Sequence, residues 1–179
     1  MALTSDKQPS GADLRRLVNE YLEKSARESV AERLWWQRRP SIENTIRLAS
    51  LAEFRGKKHA HQRRIRSEVL MLGRDRLLAN IGRIENCRSF EKLHELVCGS
   101  IDVVKGLGVL YKYDVAWRIS AKLGFTPTVV YLHAGTLLGA KRLGIGETGT
   151  AEVEAFPADL RRLEPWQLED FLCRFKDYL

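Results

Sequence analysis

The sequence predicts an all-α protein, a compact helical domain, and three observations predict it. Every long segment carries apolar residues at i, i+3, i+4 spacing. Alternating β-branched runs with hairpin turn signals are absent apart from the short Val129-Val130-Tyr131. Ser recurs before apolar runs, with Gly or Pro after them. With 179 residues, 44% of them apolar and 30% charged, the chain can bury one core without staples and is too apolar to be disordered. No apolar stretch approaches the ~20 residues of a membrane span, so no membrane partner is expected.

Residues 1–11 are polar and are expected to form a disordered tail. From about Ala12 to Gln37 the spacing predicts one helix of mixed charge that ends before Pro40. Ser41 can cap the next helix, with Ile42, Ile46 and Ala49 on one face and a stop near Gly56. Another helix is expected over Ser67–Ala79. Ser89 caps Phe90 to Cys98, where Leu93, Leu96 and Val97 share a face and Gly99 supplies the stop. Gly106 and Gly108 bracket a tight turn before a helix from Val109 to Leu123, which Gly124 closes. Thr126-Pro127 restarts the chain, and His133 to Leu143 reads as a further helix. A Gly/Thr-rich loop, Gly144 to Thr150, leads on to Pro165, the start of a final amphipathic helix carrying Trp166, Leu168, Phe171, Leu172 and Phe175. The expected segments are 1–11 (tail), 12–64 (first helices and basic strip), 65–145 (central helices) and 146–179 (loop and last helix), packed as one domain.

The formal charge is +7, with a pI near 9.5, and it is unevenly spread. Residues 1–100 hold 20 Lys and Arg against 13 Asp and Glu, while residues 101–179 hold 10 of each. Within the first stretch, Phe54 to Arg66 carries six basic residues and no acid. A run this dense is either a solvated face or a strip of phosphate contacts made by Lys57, Lys58, Arg63, Arg64 and Arg66 with His59 and His61 beside them. His59 and His61 diverge by about 200° on a helix, so they do not share a metal, and no metal is expected. Cys87, Cys98 and Cys173 form no CxxC pair, and the first residues lack an apolar h-region. A reducing cytoplasm is the expected compartment. There is no GxSxG, P-loop, Rossmann fingerprint or HExxH.

The most specific stretch is Val104-Lys105-Gly106-Leu107-Gly108-Val109 between two predicted helices. Two glycines one residue apart permit a positive φ and leave the first amides of the second helix pointing outward, where the helix dipole favours an anion. This stretch resembles the helix-hairpin-helix motif of DNA-binding proteins. Gly106, Leu107 and Gly108 match the motif, and Ala116 takes the small-residue place in its second helix. The resemblance implies a helix-hairpin-helix inside the all-α domain and double-stranded DNA as partner. Lys105, Gly106, Gly108 and Lys112 would lie at the phosphate, and a monovalent cation on the hairpin carbonyls would be the one cofactor.

Downstream, Val130 to Gly135 leading into Thr136 to Gly144 resembles the segment after the hairpin in the helix-hairpin-helix DNA glycosylases. Laid that way, His133 falls where the family keeps a catalytic Asp, and Leu110 stands where its bifunctional members keep a Schiff-base lysine. The implied roles lie in DNA repair or phage defence, with damaged or modified bases as targets. Asp114 and Arg118, like Tyr113 and Trp117, are i, i+4 partners on one helix face. They form either a salt bridge beside an aromatic core contact or a catalytic acid/base with a stacking ring. Three functions stay open. The first is a DNA-binding protein. The second is a monofunctional glycosylase using His133 or Asp114 to activate water, with Tyr111 or Tyr113 near the base. The third is a module binding an acidic protein partner through the basic strip and Trp35-Trp36.

Overall fold

The computed structural model describes residues 9–146 and 149–179, so most of the tail expected over residues 1–11 lies outside the described residues. The rest of that tail is helix entry. Ser10 accepts the Asp13 N–H while the Asp13 carboxylate accepts from Ser10, a reciprocal cap that starts α1 (Gly11–Glu23). After a one-residue break at Lys24 comes α2 (Ser25–Gln37), where one continuous helix was expected. The break separates two burial patterns. α1 buries Leu14, Leu17, Val18 and Tyr21, whereas α2 leaves Val30 and Leu34 exposed and buries Trp36 fully.

Ser41 accepts the Asn44 N–H and starts α3 (Ile42–Ser50). This helix ends six residues short of Gly56 because the chain turns back on itself. Ala52 is left-handed, Arg55 and Gly56 have φ of 51° and 74°, and β1 (Glu53–Phe54) pairs antiparallel with β2 (Lys57–Lys58). Two left-handed central residues match the twist of a two-residue hairpin. Next come α4 (Ser67–Leu78), the five-residue α5 (Ile81–Glu85) and α6 (Phe90–Ile101), whose cap Ser89 accepts the Lys92 N–H. α6 runs through Gly99, the expected stop, and so buries Ile101 completely. α7 (Val109–Leu123) closes at Gly124 with φ of 86°. The one alternating signal becomes β3 (Val130–Leu132), followed by α8 (Ala134–Arg142), β4 (Gly149–Ala151) and α9 (Pro165–Phe175). β3 and β4 pair antiparallel with Val130 opposite Ala151 and Leu132 opposite Gly149. Helix makes up 66% of the structure and the sheets are tiny, so the fold is all-α.

Contacts group the chain into two compact units, divided after Ser29 and after Thr128. The second unit, residues 30–128, packs α3 against α4 and α7, and α6 against α4 and α7. Its core includes Trp36, Ile46, Leu70, Leu77, Ile84, Phe90, Leu93, Val97, Ile101, Val115 and Ile119. The first unit joins the described residues up to Ser29 with Val129–Leu179. There Leu17, Val18 and Tyr21 of α1 share a core with Val130, Phe156, Leu160, Leu168, Phe171 and Leu172. The α8–α9 approach is close because Gly139 has no side chain: a Cβ there would lie 2.6 Å from the Leu172 carbonyl oxygen. Among the described residues no helix is long and apolar enough to cross a membrane.

Candidate functional site

The turn between α6 and α7 belongs to the second unit and is held from three sides. Within it, the Val104 N–H donates to the Ile101 carbonyl at 3.0 Å and the Leu107 N–H to the Val104 carbonyl at 3.3 Å. Gly106 takes φ of 96°, which a residue with a Cβ adopts only under strain. Leu107 points inward and is buried against Gly73 of α4, where a Cβ would come within 2.7 Å of the leucine methyl. Tyr111, one turn into α7, donates from its hydroxyl to the Ser50 carbonyl at 2.7 Å.

This anchoring leaves the outer rim exposed: Val103, Lys105, Gly106, Gly108 and Val109. Gly108 is the N-cap residue of α7 and brings no side-chain cap, and nothing stands within 4 Å of where its Cβ would be. The first amides of α7 have no intrahelical acceptor and lie at the positive end of a 15-residue helix. Lys112 is less available than the sequence suggested. Its Nζ donates to the Asp102 carboxylate at 2.6 Å across the turn, and only 12% of its side chain is exposed. That hydrogen bond and charge hold the Asp102 carboxyl below its usual range. The Ile101, Val104 and Gly108 carbonyls each accept a backbone N–H.

The basic strip is the hairpin β1–β2 and the loop that follows. Arg55, Lys57, His61, Arg63, Arg64 and Arg66 are exposed. Two members of the expected set face inward. Lys58 donates from Nζ to the Ile65 carbonyl at 2.7 Å. His59 stacks on Phe54 with ring centroids 5.7 Å apart, and its Nε2 lies 3.3 Å from the Glu32 carboxylate. Burial, then the charges of Arg118 and His61, push His59 down to about 3, so it is a neutral ring within the fold.

The strip is tied down by a residue that the sequence did not single out. Gln62, 2% exposed, donates to Asp114 Oδ2 at 2.6 Å and accepts from Arg118 Nη1 at 3.0 Å. Arg118 also reaches the Ala49 carbonyl and Asp114. Burial raises the Asp114 carboxyl while Arg118 lowers it. Asp114 is thus a member of a buried network joining strip, α3 and α7. Tyr111 and Tyr113 are 2% and 3% exposed, and Tyr113 packs its edge on Phe90 and His94; both rings are core. Trp36 is buried and donates to Glu32, while the half-buried Trp35 lies under Arg39.

Turn and strip adjoin. A Cβ on Gly106 would stand 3.5 Å from Val69, in the first turn of α4 and three residues after Arg66. His133, by contrast, belongs to the first unit, where it is the buried N-cap residue of α8. Its N–H donates to Thr136 Oγ1 at 2.7 Å, and its Nε2 lies 3.6 Å from Glu169 of α9.

No family model, curated protein or solved structure matches this chain. Among the described residues no group of three His, Cys, Asp or Glu side chains is placed to hold a metal ion. The sequence signal for Gly73, the residue that admits Leu107, was present: a glycine inside an apolar helix face marks a close approach.

Proposed function

We propose that this chain binds the backbone of double-stranded DNA, with the α6–α7 turn acting as a helix-hairpin-helix and the basic strip as its neighbour. The observation that carries the reading is the nearness of Gly106 to Val69, whose side chain would lie 3.5 Å from a Cβ added to the glycine; an uncapped helix N-terminus and the end of a strip with five exposed cations are therefore neighbours. A phosphate accepting from the amides of Val109 and Leu110 would have its neighbours along the strand within reach of Lys105, Arg64 and Arg66. Backbone contacts of this kind set affinity and register without reading bases.

Charge supports the reading. Residues 30–128 hold 19 Lys and Arg against 10 Asp and Glu, a net of +9, and the remainder holds 11 against 13, a net of −2. The whole excess therefore belongs to the unit that carries turn and strip. The test is titration of a labelled 20-base-pair duplex over a range of salt. Gly108→Val, which puts a branched side chain beside the first amides of α7, should weaken binding about tenfold or more while the protein stays folded. Arg63→Ala with Arg64→Ala should flatten the plot of log K against log salt by up to ~2, at ~0.9 per phosphate contact. Unchanged affinity and slope in folded variants would remove the turn and the strip from the binding surface.

A second reading, hydrolysis of an N-glycosidic bond in a damaged or modified nucleotide, is favoured by one local feature. His133 sits beside the Glu169 carboxylate and directly before Ala134, which is held at φ of 41°; strained backbone concentrates at functional positions. A histidine oriented by a carboxylate can take a proton from water. Duplexes carrying a panel of altered bases, incubated with the protein and then treated with alkali, should be cut at the altered base. His133→Ala should abolish the cuts. No cuts with the parent protein would end this reading and leave DNA binding intact.

A further inference from the structure

We infer that the groove between the α4–α5 segment and α6 is a second track for the DNA backbone, continuous with the turn. The groove has a volume of about 860 Å³ and belongs wholly to residues 76–100. Arg76 and Arg83 stand on one wall, Lys92 on the other, and Arg88 at the end where the walls meet. The single carboxylate along it, Glu95, is paired with Lys92 at 3.1 Å. This inference rests on the DNA reading and extends it to a surface that neither the turn nor the strip includes.

Two observations point to a nucleic-acid backbone rather than an acidic protein. The first is the lining. Asn80, Asn86 and Ser100 add polar groups, whereas Leu96 is the one aliphatic side chain, and a protein interface draws its affinity from apolar and aromatic anchors. The second is continuity. On α4, Val69 meets Gly106, Gly73 meets Leu107, and Arg76 opens the groove, each about one turn after the last. On α6 the groove ends at Gly99 and Ser100, one turn before the chain enters the turn at Asp102. Gly99 keeps that end low, with the small Ser100 beside it.

The test uses Arg76→Gln with Arg83→Gln, both on exposed positions, and Arg76→Lys with Arg83→Lys, which retains the charge. Affinity is measured over a salt series for a 30-base-pair duplex and, in parallel, for a polyglutamate peptide. The Gln pair should reduce the salt slope for the duplex by up to ~2, the Lys pair should keep it, and polyglutamate should bind weakly to all three. A slope unchanged in the Gln pair, alongside a duplex affinity that still responds to Gly108→Val, would overturn the groove and leave the turn as the DNA site. Loss of polyglutamate binding with no change for the duplex would also overturn it, assigning the groove to an acidic protein. Absence of salt-dependent duplex binding by the parent protein would overturn the DNA reading and this inference together.

Discussion

His59 shows how a basic-looking residue can serve the fold instead of a ligand. In the unfolded chain it titrates near 6.5, and within the fold burial pushes it down to about 3. Between those values the unfolded chain takes up a proton that the folded chain refuses, so stability is complete above about pH 6.5 and is lost as pH falls toward 3. Each pH unit in that window is worth up to ~1.4 kcal/mol, with the Glu32 carboxylate at 3.3 Å softening the effect. Urea unfolding should accordingly show a loss of about 2 kcal/mol between pH 7.5 and pH 5. His59→Gln should remove most of that dependence, and an equal acid loss in the variant would assign it to other groups. The neighbouring network works differently. Gln62 gives Arg118 and Asp114 complementary partners, and removing one member of a buried ion pair typically costs ~3–5 kcal/mol because a charge is left uncompensated.

Elements differ in how tightly they meet, and one substitution made at two glycines exposes the difference. Gly99 lies in the last turn of α6 with open space where a Cβ would go, so Gly99→Ala should stabilise by about 0.5–1 kcal/mol through backbone entropy alone. Gly139 lies mid-helix in α8, and there the same Cβ would stand 2.6 Å from a main-chain oxygen of α9. Two helices would have to separate, so Gly139→Ala should destabilise by about 1–3 kcal/mol. Thermal unfolding of both variants reads the opposite signs, and a stabilised Gly139→Ala would mean that α8 and α9 are free to slide. The elements legible in the sequence are those with both a cap and a stripe: α3 and α6 through Ser41 and Ser89, α7 through Gly124, α9 through Pro165. α5 is too short for a period to register. The β1–β2 hairpin was hidden because Lys57-Lys58 carries no apolar alternation, and the break at Lys24 because neither Gly nor Pro marks it. The turn glycines announced themselves as a pair. Gln62 could not, since its meaning comes from residues more than fifty positions away. The groove needed the pairing of two helices before Arg76, Asn80 and Arg83, at i, i+4, i+7, had a wall to face.

At the scale of the whole molecule the two units differ in charge and also in how the chain assembles them. Residues 30–128 complete the second unit from one uninterrupted stretch, whereas the first draws on segments either side of it. Bringing α1 to α9 closes a loop of roughly 140 residues, an entropic cost of ~4 kcal/mol by the (3/2)RT ln n rule, before any of its long-range contacts form. Such non-local pairing is slow, and the more local helical contacts of the second unit are fast. In a pulse-labelling hydrogen-exchange experiment on refolding protein, the amides of α6 and α7 should gain protection before those of β3, β4 and α8. Simultaneous protection would indicate a single cooperative transition. The order carries over to synthesis: residues 30–128 leave the ribosome ahead of 129–179, so the positively charged unit is finished while the partners of Leu17, Val18 and Tyr21 are still being made. During that interval the apolar stripe of α1 stays exposed on the nascent chain, a natural handle for chaperones.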